Sequence, residues 1–314
     1  MTQTPQAQPQ KLDWLLLTLI ILIGGSSFSM IKGAVASVPP AIIAVGRIWV
    51  GAILMTALAY GTGRRLPPFL TPGKGLMPTP EWQAMIGVGI VGTTVPFFLY
   101  PWAQQYVPSG LAGIYMALMP IWTLALAALF AGEPLTGRRL AGFGVGFLGV
   151  IILMFPALQA GEAGAANNKA LWAQIGLVAA TLFYAMSAVL ARRAPFIRPR
   201  VFSAGALIAA AISATPALLF IDWQRESWTL AGILNTIGLG IFPTGINAFL
   251  IIYLIQRCGA GFMSFSNYLT PIWAIILGAY LFNEQLGLNA FIALAIVIAG
   301  LGISQSGNAN SKPS

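Results

Sequence analysis

The chain has 314 residues, of which 58% are hydrophobic and 7% charged, with a formal net charge of +9. Soluble domains carry about 25% charge, so a water-soluble globule of this size is excluded. With one Cys and no His, the chain can build neither an internal disulfide framework nor a Cys/His metal centre, and no cofactor is expected.

Apolar stretches long enough to cross a bilayer, about 20 residues each as a helix, follow one another along the chain. The pattern predicts an all-α polytopic membrane protein with ten transmembrane helices at 14–34, 40–60, 82–103, 109–131, 140–156, 171–191, 201–221, 229–255, 260–282 and 287–304. The first span is preceded by only Lys11 and exceeds a typical signal-peptide core. Although Ala34-Val35-Ala36 resembles a cleavage site, it reads as a retained helix. The connections are short, and the longest, 61–81, is rich in proline. Cys258 falls near a helix end and reads as a small packing residue.

Basic residues set the expected orientation. With the N-terminus inside, Lys11, Arg64, Arg65, Lys74, Arg138, Arg139, Arg192, Arg193, Arg198, Arg200, Arg257 and Lys312 all lie in the cytoplasm, whereas only Lys169 and Arg225 lie outside. Positive charge collects on the cytoplasmic side of membrane proteins. Both termini are therefore expected to be cytoplasmic, in a plasma membrane such as the bacterial inner membrane. The same asymmetry accounts for the net charge without a nucleic-acid partner; the expected partners are the lipid bilayer and a small-molecule substrate. Oligomeric state is open, because small-residue faces serve intramolecular packing equally well.

The chain repeats itself. A shift of 151 residues aligns Phe98 with Phe249, Gln105 with Gln256, Gly110 with Gly261, and Pro120-Ile121-Trp122 with Pro271-Ile272-Trp273. The register continues without a gap through Glu133 and Glu284 to Gly149 and Gly300. Upstream, Phe28-Ser29-Met30 matches Tyr184-Ala185-Met186 at a slightly different offset. Five spans per copy mean that the second copy enters the membrane from the opposite side. The predicted organisation is a cytoplasmic tail (1–13), a first five-helix repeat (14–156), an extracytoplasmic connection (157–170), a second, inverted five-helix repeat (171–304) and a C-terminal tail (305–314). Inverted repeats are common among secondary transporters, with the substrate site between the repeats.

This pattern resembles the drug/metabolite transporter superfamily, in particular its ten-span EamA-type members. The resemblance rests on Gly24-Gly25-Ser26-Ser27-Phe28-Ser29-Met30-Ile31-Lys32 in the opening helix and on the segment from Pro39-Pro40 to Gly46-Arg47. It rests equally on the Pro-to-Glu helix followed by a Gly-rich helix in both halves, Gly132-Glu133-Pro134-Leu135-Thr136 before Gly142–Gly149, and Asn283-Glu284-Gln285-Leu286 before Ala299-Gly300. Asn283 departs from the usual Gly before the second Glu, a change expected to alter only a turn. The resemblance implies a secondary transporter of small metabolites, exporting more often than importing. Amino acids, aromatic ones included, are implied as frequent cargo, with multidrug or other-metabolite export as the alternative.

Pro96, Pro120, Pro243 and Pro271 fall within spans, where proline removes a backbone hydrogen bond and kinks a helix; kinked helices in corresponding positions of the two halves read as hinges, or as static kinks that help packing. Tyr115, Met119 and Trp122 share one helix face, and their repeat mates are Ser266, Thr270 and Trp273. With Tyr184, Asn247, Asn267 and Tyr268 they are the candidate substrate-binding residues. Each could equally bond a neighbouring helix, worth about 1 kcal/mol. Lys32 and Arg47 are the ionisable groups at membrane depth and hence candidates for charge recognition or gating. Arg47 lies roughly 10 Å inward from Pro40. Its structural alternatives are helix-end carbonyls or Glu284, and Lys32 could snorkel to the interface.

Enzyme chemistry finds no support: the seven acids are peripheral and no nucleophile constellation is visible. Proton coupling through a buried mid-membrane carboxylate is disfavoured for the same reason. Gly144-Val145-Gly146-Phe147-Leu148-Gly149 matches G-x-G-x-x-G but sits inside an apolar span rather than after a strand. With Gly142, Gly146 instead forms a small-xxx-small packing face. No phosphate-binding G-x-x-x-x-G-K-[ST] run is present.

Overall fold

The computed structural model describes residues 9–71, 76–131, 136–161, 165–221, 228–263 and 265–305. Among them the chain forms ten helices: α1 (Lys11–Val35), α2 (Pro40–Gly61), α3 (Pro80–Gln104), α4 (109–131), α5 (Gly137–Gly161), α6 (Ala165–Arg192), α7 (Pro199–Phe220), α8 (230–263), α9 (Phe265–Phe282) and α10 (Leu288–Gln305). Nine contain a segment long and apolar enough to cross a membrane, and α10 contributes a shorter apolar stretch, Leu288–Ile303. The sole extended pairing among the described residues is an isolated bridge between Leu70 and Pro78 in the α2–α3 connection.

Pro40, Pro80 and Pro199 stand at the first helical position of α2, α3 and α7. There the missing N–H is one that has no helical partner anyway. The helices alternate in direction. The start of α1 therefore lies beside the end of α8, where Arg257 pairs with Asp13, and the end of α1 beside the start of α8, where Ser37 bonds Thr229. α1 and α6 begin on opposite faces, as two inverted five-helix repeats require. α5 and α10 make the most extensive helix pair: a methyl at Gly300 would strike the backbone of Gly142 and Gly146, so the small-residue face brings two backbones together.

Two irregular segments are related by the internal repeat. Residues Ile90–Thr94 of α3 and Gly240–Ile246 of α8 are single wide turns of π-helix; shifted by 151 residues, the first falls within the second. Such turns open the helical ladder and recur at functional sites. The paired Pro-Ile-Trp helices differ. α9 runs unbroken through Pro271, whereas α4 consists of Ser109–Met116 and Met119–Ala131 joined at Ala117-Leu118. Pro120 cannot bond the Met116 carbonyl, and its ring crowds that carbonyl. Pro271 does the same to the Asn267 carbonyl without breaking α9; in α4 alone the break falls one turn before the proline, where Ala117 and Leu118 bond the carbonyls of Ile114 and Tyr115.

Candidate functional site

A cavity of about 410 Å³ lies between the repeats. Its walls come from both halves in repeat-related pairs: Gly92 with Pro243, Thr93 with Thr244, Phe97 with Ala248, Tyr100 with Ile251, and Met116 with Asn267. Phe28 of α1 and Tyr184 of α6, equivalent in the upstream alignment, face it too. In the last three pairs the first repeat contributes two aromatic rings and a thioether where the second has Ala248, Ile251 and Asn267. The π turns carry the first two pairs, so the opened helical ladders sit on the cavity wall.

The lining reaches Phe202 and Ser203 in the first turn of α7 and Ser266 and Asn267 in the first turn of α9. These turns lie on the same face of the bundle as the start of α1. Towards the opposite face the lining stops at Ile31, Tyr100 and Met116. Beyond them Gln104, Val107 and Ser109 are buried, and two charges tie the helix ends together. The Lys32 ammonium donates to the carbonyls of Gln104 (2.9 Å) and Val107 (3.2 Å) at the end of α3, where the helix presents unpaired acceptors. The Glu284 carboxylate accepts from Ser109 N–H (2.6 Å), Gly110 N–H (3.0 Å) and Ser109 Oγ (3.0 Å), capping α4. Asn283, at φ 50°, turns the chain so that Glu284 can do so; Asn tolerates the left-handed region that Gly adopts freely. Its repeat mate Glu133 lies outside the described residues.

Arg47 is the charge on the cavity wall. It is 5% exposed, donates weakly to Thr244 Oγ1 from Nε (3.4 Å) and Nη2 (3.3 Å), and lies 3.7 Å above the centre of the Phe97 ring. No carboxylate among the described residues pairs with it; Glu284 is committed to α4 instead. Thr244 Oγ1 itself donates to the Leu239 carbonyl across the π turn (2.8 Å), so this turn aims its hydroxyl oxygen at the guanidinium. A guanidinium carries five N–H donors, and Thr244 engages one on Nε and one on Nη2.

The remaining sequence-predicted residues divide clearly. Tyr184, Asn247, Ser266, Asn267 and Thr270 line the cavity, as do Pro243 and Pro271. The Asn247 side-chain oxygen is buried without a partner among the described residues. Tyr115 is fully buried away from the cavity and donates to Gln174 Oε1 at 2.7 Å. Trp122 packs edge-on against Phe143 of α5; neither Met119 nor Pro120 reaches the lining. Trp273 sits one layer behind, its Nε1 donating to Ser26 Oγ at 3.1 Å. Tyr268 and Pro96 are also off the wall, although Thr93 and Phe97 on either side of Pro96 are on it. Phe97, Tyr100, Met116 and Thr244 were not among the expected residues; the 151-residue shift pairs Met116 with the expected Asn267 and Thr244 with an identical Thr93, but it pairs Phe97 and Tyr100 with Ala248 and Ile251, which give no signal.

Asp13 is fully buried but lies in the first turn of α1. One oxygen takes Arg257 Nε (2.6 Å) and the other Gln10 N–H (2.9 Å). The hydrogen bond to Asp13 and its charge raise the Arg257 pKa further. The pair joins the repeats at the end of the bundle and does not face the cavity.

The chain matches the EamA-like transporter family over residues 12–155 and again over 171–304. It is 25% identical over 287 residues to an uncharacterized inner membrane transporter, YedA, of Escherichia coli K12, covering 90% of this chain and 87% of that one. To a probable terminal-alkyne amino-acid exporter of Streptantibioticus cattleyicolor it is 23% identical over 285 residues, or 91% and 90% of the two chains. A solved crystal structure superimposes with a TM-score of 0.62 over 95% of this chain and 98% of the other, at 20% identity, and so shares the fold. Repeat architecture, central cavity and both matched halves agree: the chain is a multi-pass membrane transporter that belongs to the EamA-like transporter family.

Proposed function

We propose that the protein exports amino acids with hydrophobic or aromatic side chains by alternating access. The observation that carries this reading is Arg47: a buried cation on the cavity wall with no acidic partner among the described residues. An unpaired buried charge is costly, and a substrate carboxylate would complete it with short, charge-assisted bonds. Phe28, Phe97, Tyr100 and Phe202 supply an apolar and aromatic surface for the rest of the solute. Asn247, Asn267, Ser266 and Thr270 supply polar contacts on the other side. The similarity to a probable amino-acid exporter agrees with this reading.

The orientation follows from the basic residues: with both termini in the cytoplasm, the cavity reaches the cytoplasmic face, where an exporter loads. Opening to the other side would release the contacts of Lys32 and Glu284 with the ends of α3 and α4, with the π turns and Pro243 and Pro271 as the places where α8 and α9 flex. The aromatic wall alone would also suit an apolar drug; the unpaired arginine favours a carboxylate. Exposing proteoliposomes to a mixed amino-acid pool and reading their contents by mass spectrometry tests the proposal. Saturable accumulation of Phe, Leu or Trp is expected, and accumulation of none of the pool would reject it.

A further inference from the structure

On the face of the bundle that bears the start of α1, a second cavity, of about 290 Å³, lies between the α2–α3 connection and the α6–α7 connection. It is lined by Arg64, Arg65 and Pro67 from the first repeat and by Phe196, Ile197 and Arg198 from the second, with Glu81 and Val201 at the helix starts. The arginines around it are otherwise engaged: Arg193 donates to the Phe130 carbonyl and Arg200 lies 5.0 Å from the centre of the Phe249 ring. By contrast, Arg64, Arg65 and Arg198 form no side-chain hydrogen bond or ion pair with any described residue, and Glu81 on the same wall pairs with none of them. Phe196 beside them is 96% exposed.

We propose that this cleft binds the phosphate of an anionic phospholipid. Three arginines from two loops line one pocket, none paired with a described residue, and guanidinium is the side chain best matched to phosphate. The pocket lies where α2 ends and α3 and α7 begin, at the level where the spans leave the hydrocarbon. A bare phenylalanine is unfavourable in water, but at the boundary between headgroups and acyl chains it is a favourable anchor. That neighbour selects a lipid over a soluble anion. Because the two walls belong to different repeats, a bound headgroup bridges the elements that the proposed alternating access would move against each other.

The test uses the full chain purified in detergent, titrated separately with phosphatidylglycerol, phosphatidylcholine and inorganic phosphate, with bound species read by native mass spectrometry. Each basic residue near an anionic headgroup contributes about fivefold in affinity. The double variant Arg64→Ala/Arg198→Ala should therefore weaken phosphatidylglycerol binding by about 25-fold. Arg64→Lys/Arg198→Lys should retain most of it. Lys11→Ala/Arg138→Ala, which removes the same charge elsewhere, should leave it unchanged. Equal losses in the two alanine variants would make the attraction diffuse and overturn the site. A wild type without preference for phosphatidylglycerol over phosphatidylcholine would overturn it as well, and inorganic phosphate binding as tightly as the lipid would reassign the cleft to a soluble anion.

Discussion

α4 and α9 begin from nearly the same sequence and do different work. In α9, Ser266, Thr270 and Pro271 lie on an unbroken helix and face the cavity. In α4, the chain breaks at Ala117-Leu118, and the equivalent Tyr115, Met119 and Pro120 all miss the cavity, while Met116 reaches it. The difference teaches that a repeat in sequence conserves a helix but not its rotation. In the first copy that face lies in the α4–α5–α6 core and the neighbouring face meets the cavity.

Four changes would break or sharpen that contrast. The largest effect is expected from Trp122→Ala, which should cost about 3 kcal/mol of stability through the lost packing against Phe143 while leaving substrate affinity of the folded fraction unchanged; thermal unfolding and a binding titration separate the two. Glu284→Gln removes the charge from the α4 cap. It should cost about 2 kcal/mol, since a carboxylate accepting three hydrogen bonds is replaced by a neutral amide, and would lower the unfolding midpoint. Thr270→Ala, on the cavity face of α9, should weaken substrate binding by about 1 kcal/mol with little change in stability. A comparable change in Met119→Ala would erase the difference between the helices. Smallest of all, Pro120→Ala should let α4 run continuously at a stability change within about 0.5 kcal/mol. In a Cys258→Ser background it should make Met119→Cys reactive to a polar thiol reagent that enters the cavity, whereas with Pro120 in place that cysteine stays unlabelled.

The amphipathic logic of the bilayer made the fold legible. Charge-free runs locate the spans, because every backbone polar group must be satisfied within a helix in lipid, and the 151-residue repeat yields their pairing. Five of the ten candidate substrate-binding residues were legible for the same reason: Tyr184, Asn247, Ser266, Asn267 and Thr270 are polar or amphipathic groups within apolar spans, and they line the cavity. The rotation of α4 was not legible, because Pro120 and Pro271 hold the same place in the repeat and yet only α4 breaks, one turn before its proline. Arg47 was flagged by its depth, but its neighbour could not be: Thr244 reaches it only because a π turn re-aims α8, and nothing in Gly240–Ile246 announces the extra residue per turn. Lys32 and Glu284 were visible as charges near helix ends. Their assignment to α3 carbonyls and α4 amides requires knowing which ends meet.

The reading of the cavity as a carboxylate site stands or falls on Arg47, and proteoliposome flux of two matched solutes tests it most directly: phenylalanine, and phenethylamine, which keeps the ring and amine but lacks the carboxylate. Wild type should carry phenylalanine saturably. Arg47→Ala should cut that flux by about 10- to 100-fold, the worth of a charge-assisted hydrogen-bonded pair, without reducing the flux of phenethylamine. Equal loss of both solutes in a folded Arg47→Ala protein, or undiminished phenylalanine flux, would contradict the account.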